Sequence, residues 1–99
     1  RAEISLEFSD TYENIANNVS VEDKPISMLF EALDELDIKP VVYAMRGGTD
    51  GSALSARGIV TPNYFTGAHN FHSYAEFLPL SSFEKSLEVT LKLIELSTR

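Results

Sequence analysis

Ninety-nine residues, 43% of them apolar, suit one small domain or a piece of a larger one, and the chain is too apolar to stay disordered. A net charge of −7 argues against a nucleic-acid or anionic-membrane surface, since both are gripped by a basic face. With no cysteine, disulfides and Cys-ligated zinc are excluded, and no apolar run approaches the ~20 residues of a membrane span.

Ala2, Ile4, Leu6 and Phe8 alternate with Glu3, Ser5, Glu7 and Ser9, a period of two that predicts a half-buried strand. Asp10 to Ser20 is rich in Asn and reads as a connection. A helix is predicted from Asp23, a good N-cap, with Pro25 in its first turn. Ile26, Leu29, Phe30, Leu33 and Leu36 form its apolar stripe, and Pro40 closes it. Val41 to Met45 is apolar on both faces and predicts a central, doubly covered strand. Gly51 to Arg57 predicts a short helix capped by Asp50 and ended by Gly58. Ile59 to Phe65 predicts another strand, with Pro62 at its edge or end, and Glu76 to Leu78 a very short one. Ser81 to Glu84 reads as a capping box opening a last helix that reaches about Ser97. Its main stripe is Phe83, Leu87, Leu91 and Ile94, widened by Val89, Leu93 and Leu96. Alternating strands and helices predict an α/β layer structure, with the first strand set apart from the rest.

The polar groups that stand out are Arg46-Gly47-Gly48-Thr49-Asp50-Gly51 and, later, His69-Asn70-Phe71-His72 with Glu76. Paired glycines strip a turn of side chains and open its backbone to close approach. The turn is neither a phosphate loop nor a dinucleotide fingerprint, because the required Lys-Ser/Thr and third glycine are misplaced. A plain strand-to-helix turn is its simplest reading. Arg46 is either an exposed charge or a grip for a carboxylate, which a planar guanidinium holds with two parallel hydrogen bonds. Two histidines three apart in a loop can ligate a metal, but more often one does or neither, and catalytic zinc needs about three protein ligands. If His72 binds metal, its co-ligands lie outside this sequence. No Ser or Thr has a base beside it, so nucleophilic catalysis finds no support.

The Arg46–Gly51 run, Pro62-Asn63, Phe65-Thr66-Gly67, Asn70-Phe71-His72 and Glu76-Phe77 together resemble the C-terminal part of the two-zinc exopeptidase family. That family holds tripeptide aminopeptidases and relatives of carboxypeptidase G and the aminoacylases. The resemblance covers nearly the whole chain. It implies an α/β catalytic domain carrying two zinc ions with an inserted lid. Residues 1–13 then correspond to the last lid strand and residues 14–99 to the C-terminal part of the catalytic domain. The resemblance further implies that His72 is a zinc ligand and that Arg46, Gly47 and Gly48 contact substrate. Thr49, Asn70 and Glu76 would stand around them, while His69 falls off the ligand position. Ser73 stands where relatives often carry glycine. The family's other zinc ligands and its general base are absent, so no catalytic residue is expected in this chain.

The expected function is therefore that of a fragment of a zinc-dependent tripeptide aminopeptidase. The fragment itself would be inactive, and its parent a homodimer in the cytoplasm. Arginine as the first residue and the lack of a leader pattern place the natural start upstream. The fragment should associate with itself or with the missing N-terminal part, because its sheet edges and apolar helix faces would be uncovered. A dipeptidase or amino-acid deacylase of the same family, and a non-catalytic α/β peptide-binding module, are the rival readings.

Overall fold

A computed structural model describes residues 1–99. Three α-helices organise it: α1 (Lys24–Glu35), α2 (Asp50–Ala56) and α3 (Leu80–Ser97), preceded by one 3-10 turn at Ile15–Asn17. Asp23 sits at the N-cap of α1 and Pro25 in its first turn, as the sequence predicts. The Asp23 carboxylate, however, accepts from the Ser20 amide at 2.7 Å, so it fixes the turn before the helix instead of capping it. Pro40 does not end α1. The end is a Schellman turn, in which the Ile38 amide donates to the Leu33 carbonyl at 2.8 Å and Asp37 takes the left-handed φ of 55°. The same device ends α2, where Ile59 donates to Leu54 and Gly58, at φ 90°, donates to Ser55.

The first turn of α3 departs from the predicted capping box. Pro79 is the N-cap, no side chain caps the turn, and the Phe83 amide donates to the Pro79 carbonyl at 3.0 Å. With the helix already begun at Leu80, Ser81 and Glu84 both lie inside it, and the reciprocal bond between them has no geometry to form.

The core lies between α1 and α3. Leu29 and Leu33 of α1 close over Val89 of α3, with Leu36, Ile38 and Leu93 packed around them, and Ala32 and Leu96 are buried as well. At the helix ends Glu35 accepts from Lys92 at 3.3 Å and from Arg99 at 3.0 Å, and both cations also reach Glu95. The Arg99 hydrogen bond, ahead of Lys92, holds the Glu35 carboxyl below the usual carboxylate value; Lys92, ahead of Arg99, does the same for Glu95.

Helix α3 is turned relative to its predicted stripe. Val89 and Leu96 face the core, while Phe83, Leu87, Leu91 and Ile94 remain more than half exposed. The helix is apolar on two faces, and one partner helix can cover only one of them.

The predicted α/β layers are absent: the chain contains no strand, and its one β-bridge joins His69 to Phe77. Ala2–Phe8, Val41–Met45 and Ile59–Phe65 form no strand in this chain, so the lid strand is not confirmed, and Glu76–Leu78 shrinks to the single bridge at Phe77. The cause is pairing. A strand exists only through hydrogen bonds to a neighbour, and a lone extended segment has none. Val42 is 80% and Tyr43 75% exposed in the segment that the sequence marks as a covered central strand. Only nine residues are buried, and the radius of gyration is 17.3 Å against roughly 13 Å for a compact domain of this length.

Candidate functional site

Two loops carry the residues singled out in the sequence. The first joins Met45 to α2. Arg46 is exposed there and forms no ion pair, and Gly47 has a φ of 84° with open space where a side chain would stand. Gly48 is approached from within the chain. The ring of Tyr12 lies so close that a Cβ on Gly48 would sit 2.7 Å from it. No pattern in the sequence signals this contact.

Thr49, not Asp50, caps α2. The Thr49 hydroxyl accepts from the Ser52 amide at 3.3 Å and from Asn63 Nδ2 at 3.1 Å. Asp50 is the first helical residue, where its charge meets the positive end of the helix. Gly51 is buried with the Thr61 carbonyl oxygen 2.5 Å from where a Cβ would be, so α2 can lie on this segment only with glycine there. The Thr61 amide in turn donates to Ser55 Oγ at 3.0 Å. The Arg-Gly-Gly turn is thus anchored by α2 and by residues 61–63.

The second loop runs from His69 to Phe77 and carries His72. At its base the two residues exchange backbone hydrogen bonds, His69 N to Phe77 O at 2.9 Å and Phe77 N to His69 O at 3.2 Å. Their rings stack with centroids 5.0 Å apart and planes 14° from parallel. Further in, Asn70 Nδ2 donates to the Ala75 carbonyl at 3.2 Å. Ser73 Oγ donates to the Asn70 carbonyl at 2.7 Å and accepts from the Ala75 amide at 3.2 Å. Glu76 contributes its backbone amide to the Ser73 carbonyl, and its side chain is exposed.

Asn70 and His72 both adopt left-handed φ angles, 56° and 60°. Such angles cost about 1 kcal/mol or more for a residue with a Cβ. The loop's hydrogen bonds hold them, and His72 is carried exposed near the tip. An open groove of about 560 Å³ runs beside the base, lined by Tyr43, Phe65, His69, Phe71, Ser82 and Lys85 among others.

The residues present do not by themselves fit a metal. No group of three or more His, Asp or Glu side chains converges anywhere in the chain, and His72 offers one donor where a zinc site needs about three. The sequence pattern does not mark His69 as the base of the loop. Its one visible signal is a pair of ring-bearing residues eight positions apart, flanking a polar turn.

Comparison with known proteins finds peptidase T relatives along nearly the whole chain. Over 90 residues it is 56% identical to a peptidase T-like protein of Yersinia pestis, a match covering 91% of this chain and 22% of that protein. A peptidase T-like protein of Rhizobium meliloti is 51% identical over 94 residues, covering 95% of this chain and 23% of the relative. The peptidase T of Parabacteroides distasonis is 45% identical over 94 residues, with the same two shares. Along nearly its whole length the chain is similar to peptidase T and peptidase T-like proteins, and it spans about a quarter of the length of the curated relatives it matches. No family model matches it, and no solved structure does. No helix is long and apolar enough to cross a membrane.

Proposed function

We propose that this chain supplies the C-terminal quarter of a zinc-dependent tripeptide aminopeptidase, a cytoplasmic enzyme that hydrolyses the N-terminal residue from tripeptides. Peptidase T relatives at 39–56% identity across nearly the whole chain carry this reading. Within it, His72 is one zinc ligand and Arg46 grips the carboxylate or a carbonyl of the substrate, with Gly47 and Gly48 beside it. Thr49, Asn70 and Glu76 support these groups. The remaining ligands and the general base come from the rest of the polypeptide. Residues 1–13 run to the lid and residues 14–99 belong to the catalytic domain.

Two features of the chain support the division of labour. His72 belongs to no group of three or more metal-donating side chains, and Arg46 has no acidic partner. Both are offered outward on loops tied down from behind. The uncovered apolar faces, Val41 to Tyr43 and the outer side of α3, are covered in this reading by the rest of the catalytic domain. Deprived of it, the chain associates with itself. The complete protein is a homodimer.

The test is tripeptide hydrolysis with added zinc. The 99-residue chain alone is expected to be inactive. In the complete polypeptide, His72→Ala should lower kcat/KM by at least about a hundredfold, the scale on which groups at a metal centre act. Arg46→Lys should raise KM roughly tenfold, since the paired hydrogen bonds of the guanidinium are lost. Turnover by the isolated chain at the rate of an intact enzyme, abolished by His72→Ala, would overturn the proposal.

A further inference from the structure

We propose that His69 is a positioning residue whose ring face, not its nitrogens, fixes the loop that presents His72. The structure closes this loop in three tiers. Asn70 and Ser73 make the inner two through side-chain hydrogen bonds. The outermost tier is the exchange of backbone bonds between His69 and Phe77, two bonds that would lie open to water on an exposed loop. The rings of the same two residues stack on each other, 5.0 Å apart and nearly parallel. A directly opposed pair exchanging both backbone bonds is the unit in which cross-strand side chains stabilise each other.

No hydrogen bond involves either imidazole nitrogen of His69, and its part in the loop is made through the ring face and the backbone. The clasp matters because His72 holds a left-handed φ of 60° that a free loop would abandon. Opening at the base lets residues 70–76 relax, and the imidazole of His72 then loses its fixed direction. The consequence for catalysis rests on the proposed role of His72, while the clasp itself can be tested without it.

The experiment is NMR on the isotopically labelled 99-residue chain and its His69→Ala and His69→Phe variants. Three signals are read: amide exchange at His69 and Phe77, the strong intraresidue amide-to-Hα contact that marks positive φ at His72, and the ring shifts of Phe77. The alanine variant is expected to speed exchange at Phe77 at least threefold and to erase the His72 signature. The phenylalanine variant should keep all three near wild type. Three results would overturn the inference. One is a smaller effect in the alanine variant. Another is a phenylalanine variant as damaged as the alanine one. The third is a wild-type chain that lacks the His72 signature. In the complete polypeptide, zinc occupancy of His72→Ala is measured separately. Full zinc retention there would remove His72 from the metal site and leave the clasp standing.

Discussion

Helix α3 makes the sharpest quantitative prediction, because its two apolar faces differ only in what covers them. Val89 is fully buried against Leu29 and Leu33. Replacing it with alanine removes two methyl groups. Their transfer is worth roughly 1.5 kcal/mol at ~0.8 kcal/mol per carbon. The cavity, on the order of 50 Å³, adds about 1 kcal/mol at ~24 cal/mol per Å³. Val89→Ala should therefore cost about 2–3 kcal/mol of unfolding free energy. Leu91 is the larger side chain, but it lies on the other face and is 57% exposed. Leu91→Ala in the isolated chain should cost no more than about 0.5 kcal/mol, as at an ordinary surface site. Urea unfolding followed by far-UV circular dichroism, at a concentration low enough to suppress association, measures both. A Leu91→Ala cost equal to that of Val89→Ala would show that α3 is rotated from the face described here. The assignment of its outer stripe to a covering neighbour would then fail.

Gly51→Ala should destabilise α2 by about 1–2 kcal/mol, although alanine gains ~1 kcal/mol in helix propensity, because its Cβ would strike the Thr61 backbone. Amide exchange along α2 reads this out, and unchanged or slower exchange would contradict the close packing. The Glu35–Lys92–Glu95–Arg99 cluster predicts a sign for the effect of pH. Both carboxyls are held below their ordinary value, so their contribution is full above roughly pH 4.3 and is lost as the pH falls through the lowered values. Thermal unfolding between pH 7 and 3 should show wild type losing more stability than Glu35→Gln. The gap should narrow in 1 M salt, since the cluster lies at the surface, with Lys92 half-buried and Arg99 exposed.

What the sequence disclosed follows the range of the interactions involved. α1, α2 and α3 were legible because helices are built from neighbours three and four residues apart, and their apolar spacing survives in any context. Errors at the ends came from competing local partners. Asp23 turned back to Ser20, Thr49 took the cap expected of Asp50, and Asp37 ended α1 well before Pro40. Both faces of α3 are apolar, so periodicity alone cannot say which one meets α1. Strand patterns at Ala2–Phe8 and Val41–Met45 state what the segments are suited to, but pairing is supplied by other chain segments. Arg46, Gly47, Gly48 and His72 were found as an order of residues. Their spatial relation depends on long-range packing that no local pattern encodes.

That same division of range bears on the proposal that this segment carries one ligand of a metal site. All bonds that shape the His72 loop join residues between 69 and 77. Closing so short a loop costs little entropy, and two residues at left-handed angles are held without help from a sheet. In the proposed role, a donor presented in this way would be set in advance, so the ordering cost would be met within the loop and not deducted from metal affinity. The arginine side is built differently. Its turn depends on Tyr12, Asn63 and Thr61, each contributed from elsewhere in the chain. Loss of tertiary packing should therefore loosen the Arg46 turn first and leave the His72 loop intact. On mild urea, exchange protection at Ser52 is expected to vanish at a lower denaturant concentration than protection at Phe77. The reverse order would show that the loop's geometry is imposed by its surroundings.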